Sequence, residues 1–157
     1  MRLEYFDMID QVMAFDADRK RLTTASNVPM ESTVFEGHFP GYPLVPGVLL
    51  TETMAQASGY LALILNGFSR MPFLMAVDSV RFRTFVEPGA VLETEAELAL
   101  EGSGYVATRA SISSGGKSVC NGELRLRLMP FPAELSALMR ARADKIGLDA
   151  VEHAGPA

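Results

Sequence analysis

The sequence predicts an α+β domain in which an antiparallel β-sheet wraps around one long central α-helix. Three observations predict it. Residues 46–65 are apolar around nearly the whole circumference of a helix, with Val48, Leu49, Met54, Ala57, Tyr60, Leu61, Ile64 and Leu65, so other structure must enclose it on most sides. Residues 91–101 alternate, Glu93, Glu95, Glu97 and Glu101 one way and Leu92, Ala96, Leu98 and Leu100 the other, as in a half-buried strand. Gly102-Ser103-Gly104 and Gly115-Gly116 then turn the chain back into further strands. An antiparallel sheet with one apolar face needs a cover, and the helix is the cover available.

In chain order, residues 1–10 carry Arg2, Glu4, Asp7 and Asp10, unlike a secretory signal. Residues 12–15 and 21–28 read as a hairpin around a polar turn at 16–20. A loop follows over 35–46, rich in Gly37, Pro40, Gly41, Pro43 and Pro46. Pro46 suits a first helical position, where no N–H is needed, and Asn66-Gly67 suits the end of the helix. Strands are expected over 73–86, 91–101, 105–112 and 117–129, the last with Leu124, Leu126 and Leu128 opposite Arg125 and Arg127. After Pro130-Phe131-Pro132, residues 133–146 read as an amphipathic helix with Leu135, Leu138, Met139 and Ile146 inward. The expected division is a domain over 1–132 and a C-terminal extension over 133–157, frayed from about residue 149.

A chain of 157 residues fits one domain, which at this size buries roughly 70% of its unfolded surface. With 48% apolar and 21% charged residues, global disorder is not expected. The single cysteine, Cys120, has no internal partner and reads as packing in a reducing compartment, hence a cytoplasmic protein. The net charge of −5, without a basic run or aromatic–basic interleaving, argues against nucleic-acid binding. Residues 45–65 raise the question of a membrane span. Glu52 and Gln56 near the middle answer it, since a carboxylate at mid-bilayer costs about 3 kcal/mol or more. With two histidines and one cysteine, neither a metal site nor an organic cofactor is indicated.

Few residues can carry chemistry. His153 lies in the tail and is expected to be inert. His38 stands in the loop before the central helix, where a lone histidine is structural, solvated or catalytic. Glu52 sits inside a nearly all-apolar helix, too far past Pro46 to cap it. Gln56 shares its face at i+4. Such a glutamate is either a hydrogen-bonded structural carboxyl or one held partly neutral, able to give up a proton near neutral pH. Gly47 offers a backbone N–H at the positive end of the helix dipole, either for close packing or as a donor to a developing oxyanion. A histidine base, a carboxylic acid and a helix-end donor suit proton removal alpha to a carbonyl with loss of a beta hydroxyl.

The segment Gly37-His38-Phe39-Pro40-Gly41-Tyr42-Pro43-Leu44-Val45-Pro46-Gly47-Val48-Leu49, followed by Glu52-Thr53-Met54-Ala55-Gln56, closely resembles the signature of FabZ-type 3-hydroxyacyl-[acyl carrier protein] dehydratases. The resemblance runs from about Phe6 to Met129. It implies a hotdog fold and a homodimer, or a trimer of dimers, with sites at the subunit interface. It implies catalysis by His38 and, from the other subunit, Glu52, with the Gly47 amide polarising the thioester carbonyl and Gln56 beside the acid. The related FabA enzymes, which also isomerise their product, carry aspartate where Glu52 stands, so dehydration alone is expected. Thr53 in place of alanine, Leu44-Val45 in place of Val-Met and the tail beyond Phe131 depart from the pattern. They bear on acyl chain length and carrier choice.

The implied substrate is a 3-hydroxyacyl group on the phosphopantetheine arm of acyl carrier protein. Phe39, Val48, Leu49, Phe82 and Phe85 are the candidate walls for its acyl chain. Arg81 and Arg83, with Arg70 expected nearby, are the candidate contacts for the acidic carrier. The alternatives are a hotdog acyl-thioesterase, which must activate water, and a non-catalytic carrier-binding subunit, which the presence of both His38 and Glu52 disfavours.

Overall fold

A computed structural model describes residues 1–148. The frayed tail expected from about residue 149, and His153 with it, lie outside the described residues. After a 3-10 turn at Leu3–Tyr5 come β1 (Gln11–Asp16) and β2 (Arg21–Asn27), α1 (Thr33–Gly37) and the long α2 (Gly47–Leu65). Then follow β3 (Arg70–Phe82), β4 (Val91–Gly102), β5 (Tyr105–Ser114), β6 (Lys117–Pro130) and α3 (Ala133–Lys145). The strands form one antiparallel six-stranded sheet in the order β1-β2-β4-β5-β6-β3. Chain order and sheet order part at α2. The helix crosses the sheet's inner face, so β3 lands on the far edge beside β6, and β4 returns to pair with β2.

The enclosure expected of the helix is present. Leu49, Leu50, Met54, Leu61, Leu63 and Ile64 of α2 are buried against Leu22, Leu92, Ile112 and Leu124 of the sheet. Fully buried leucines such as Leu61 and Leu63 each contribute roughly 1.5–3 kcal/mol. Among the described residues α2 alone is long and apolar enough to cross a bilayer, with mean hydropathy 1.3, yet 67% of that stretch is buried inside the protein. Its polar groups are satisfied locally: Thr53 Oγ1 donates to the Leu49 carbonyl at 2.9 Å, and Thr108 Oγ1 to Ser58 Oγ at 2.8 Å. The first bond explains how a threonine is tolerated inside the helix. Cys120 is fully buried, and burial pushes its thiol up to about 11, so it stays protonated and unreactive near neutral pH.

Several expectations need correction. The loop expected over 35–46 begins only at His38, because Ser32 caps α1 by accepting the Val34 N–H at 3.2 Å. Pro46 is the N-cap of α2, not its first residue. The strand expected over 73–86 is β3, which starts at Arg70 and ends at Phe82. Leu100 is 54% exposed, because the register shifts between Leu98 and Leu100 and an extra residue flips the alternation. On α3, Leu138 faces outward at 47% exposure, while Ala143, Ile146 and Leu148 enter the main core. The Ile146 carbonyl also accepts the Val12 N–H at 2.7 Å, tying the extension to edge strand β1.

Candidate active site

The loop between α1 and α2 is held by its own backbone. Phe39 and Tyr42 exchange N–H···O bonds of 3.0 and 2.9 Å, the Leu44 N–H donates to His38 at 2.9 Å, and the Val45 N–H donates to Val86 at 2.8 Å. Gly41, at φ +76°, makes the turn. This frame orients the half-buried His38 ring, which stacks on Phe39 with centroids 4.1 Å apart. Its Nδ1 lies 3.0 Å from the Leu44 carbonyl oxygen. A carbonyl can only accept, so Nδ1 carries the proton and the Nε2 lone pair is left to act as a base.

At the start of α2 the first intrahelical bond comes from Leu49, whose N–H reaches the Pro46 carbonyl at 2.9 Å. The Gly47 amide precedes it and belongs to the unpaired first turn of the helix. A Cβ on Gly47 would stand 3.1 Å from the Phe82 ring, so glycine lets Phe82 lie against the helix start. A double-mutant cycle checks this contact. Gly47→Ala should be about 0.5–1 kcal/mol less stabilising, or more destabilising, with Phe82 present than in a Phe82→Ala background, as read by denaturant unfolding. Additive effects would contradict the contact.

Glu52 lies on the next turn and is half-buried. Gln56 Nε2 donates to Glu52 Oε1 at 2.9 Å and to the Phe6 carbonyl at 2.6 Å, while its Oε1 accepts the Met8 N–H at 3.1 Å. The amide thus clamps the carboxyl to the N-terminal segment. Glu52 opens onto a cleft of about 230 Å³ between α2, β3 and α3. Tyr60 also lines it; burial raises its phenol above the ordinary value, and Arg142 partly offsets that.

Within one chain the predicted residues fall into two groups. Phe39 stacks on His38, while Phe82 meets Gly47, and Phe85 adjoins Val86, which holds the residue before Pro46. Val48 and Phe85 are each 75% exposed. Gln56 belongs with Glu52 in the separate cleft, which His38 does not line. Arg81 and Arg83 come together around Asn121: Arg81 pairs with it in register, and Arg83 Nη2 donates to its Oδ1 at 3.2 Å. Arg70, expected nearby, stands at the opposite end of β3 beside Pro130. Among the described residues, no three His, Cys, Asp or Glu side chains gather as metal ligands. Sequence reasoning missed the Leu44 carbonyl, the backbone clamps on Gln56, and Met139 and Arg142 in the Glu52 cleft. Only α1 left a legible signal, the capping Ser32.

A six-stranded antiparallel sheet around a central helix defines a hotdog protein. Two solved structures share that fold: a dehydratase heterocomplex from Xenorhabdus doucetiae, with TM-score 0.64, 20% identity and 84% of this chain covered against 88% of the other, and a thioesterase from Pseudomonas aeruginosa, with TM-score 0.61, 14% identity and 76% against 81%. The FabA-like domain model matches residues 2–123, and the chain belongs to that family. Its relatives include the 3-hydroxyacyl-[acyl-carrier-protein] dehydratases FabZ of Rhizorhabdus wittichii, 40% identical over 63% of this chain and 69% of the relative, and of Caldicellulosiruptor saccharolyticus, 37% identical over 76% and 85%.

Proposed function

We propose that this chain is a hydro-lyase of fatty acid biosynthesis that removes water from (3R)-3-hydroxyacyl-[acyl carrier protein], giving the trans-2-enoyl thioester. The observation that carries this reading is the hydrogen bond from His38 Nδ1 to the Leu44 carbonyl, which leaves Nε2 as a base on the loop leading into α2. Nε2 takes the C2 proton. The Gly47 N–H stabilises the negative charge that forms on the thioester oxygen. Glu52 delivers a proton to the C3 hydroxyl, which leaves as water. The imidazolium then returns a proton to the glutamate, so the cycle closes without a cofactor.

His38 and Glu52 act across a homodimer in this reading. That His38 does not line the Glu52 cleft of its own chain supports it. So does edge strand β3, with exposed Phe73, Leu74, Met75 and Val77, an apolar edge of the kind that natural sheets keep covered. The acidic carrier docks on Arg81 and Arg83, and the protein works in the cytoplasm. Arg81 borders a groove in which it, Arg21 and Arg109 are matched by Glu95, Glu97 and Glu123, so its charge is locally balanced and Arg83 is expected to contribute more. An Arg81→Glu, Arg83→Glu variant should bind acyl carrier protein roughly ten-fold more weakly at low salt, with the difference shrinking as salt rises. Unchanged affinity at low salt would remove this patch.

Loss of ultraviolet absorbance as enoyl thioesters are hydrated tests the activity itself. The folded protein should hydrate them and should release no thiol from saturated acyl thioesters. Thiol release without hydration would mark a thioesterase.

A further inference from the structure

The stripe Glu52, Ala55, Gln56, Gly59, Tyr60 and Leu63 lines one side of the Glu52 cleft. Its spacing of three and four keeps it on one face of α2, and at about 1.5 Å per residue it runs roughly 16 Å. Pro72 and Leu74 of β3 face it. The walls approach each other at Gly59, where a Cβ would meet Pro72 at 3.8 Å in ordinary van der Waals contact. Met71 of β3 and Leu126 of β6 also line the cleft, and Met139 and Arg142 come from α3, which lies beyond the family-matched residues 2–123.

Two contacts fix which end of α3 lies by which end of α2. The Arg140 guanidinium lies 4.8 Å over the Phe68 ring, past the C-terminal end of α2. Lys145 pairs with Asp7 at 3.7 Å, next to the Phe6 carbonyl that holds Gln56. Met139 and Arg142 therefore sit at the Tyr60–Leu63 end, away from the Glu52 carboxyl. The wall is anchored, because Ala143, Ile146 and Leu148 are buried in the main core.

We propose that α3 is the distal wall of the acyl site, with Met139 and Arg142 closing the groove that begins at Glu52, so that this enzyme accepts short and medium acyl chains and rejects long ones. The proposal rests on the dehydratase reading, in which C3 reacts at Glu52 and the acyl tail leads away along α2. A longer tail would have to displace the Met139 side chain and desolvate the Arg142 guanidinium, and both oppose binding.

The full-length protein and its Met139→Ala, Met139→Phe and Leu138→Ala variants test it. Leu138 lies on the outer face of the same helix and serves as the control. Two readouts are needed: kcat/KM for enoyl-pantetheine hydration, and Kd for saturated acyl-pantetheines, each from butyryl to palmitoyl. Met139→Ala should raise the long-to-short ratio about ten-fold in both, the scale of a methylene or two in an apolar pocket. Met139→Phe should lower it, and Leu138→Ala should leave it unchanged. Ratios within two-fold of the parent in both Met139 variants, with activity intact, overturn the wall. Length-dependent binding that shifts with Met139, in a protein that hydrates nothing, would sink the dehydratase reading and leave the groove standing.

Discussion

Replacing His38 with alanine should lower kcat/KM for enoyl-thioester hydration by about 10²–10⁴-fold, the usual contribution of a positioned acid or base. The loss should be chemical and not structural. The side chain is half-buried on a loop, and its polar bond to the Leu44 carbonyl is worth about 1 kcal/mol. The loop's backbone bonds among His38, Phe39, Tyr42 and Leu44 do not depend on the imidazole. Unfolding should therefore shift by about 1 kcal/mol while turnover nearly vanishes. A folded His38→Ala protein within a few-fold of the parent rate would remove the histidine from the mechanism.

Glu52→Gln should be equally severe, for a reason that leaves the geometry in place. The new amide keeps the length of the side chain, and its oxygen can still accept from Gln56 Nε2, which now donates to Glu52 Oε1 at 2.9 Å. What disappears is the proton for the leaving hydroxyl. The decisive measurement mixes the two inactive proteins after joint unfolding and refolding. If base and acid come from different subunits, the mixed dimer holds one site with both residues intact and one with neither, because a two-fold interface repeats each contact. Random pairing then restores about a quarter of the parent activity. Mixed dimers that form and stay inactive would show that one subunit supplies both groups.

These two residues were legible because each is out of place. A carboxyl in the middle of an apolar helix and a histidine in a glycine–proline loop are costly or unusual, so they stand out without any knowledge of their neighbours. The acyl groove was not legible. Its α2 side repeats at the same helical spacing as any core stripe, and Met139 and Arg142 join it only because α3 folds back along α2. Arg70 was expected near Arg81 and Arg83, but β3 holds it at the opposite end. Leu100 followed the alternation on paper, and one bulge turned it to solvent.

The sequence by itself determined the six strands, the long helix and the C-terminal helix in their order, though not α1, together with the sheet wrapped around a helix and the two ionisable side chains worth testing. Those depend on periodicity, turn chemistry and residue type, which act over a few neighbouring residues. Tertiary structure alone decided which carbonyl sets the His38 tautomer, where the strand register slips, and which helix closes the Glu52 cleft. Every residue offers the same backbone carbonyl, and every apolar residue seeks burial. Which ones meet is settled only when the whole chain competes for a single core.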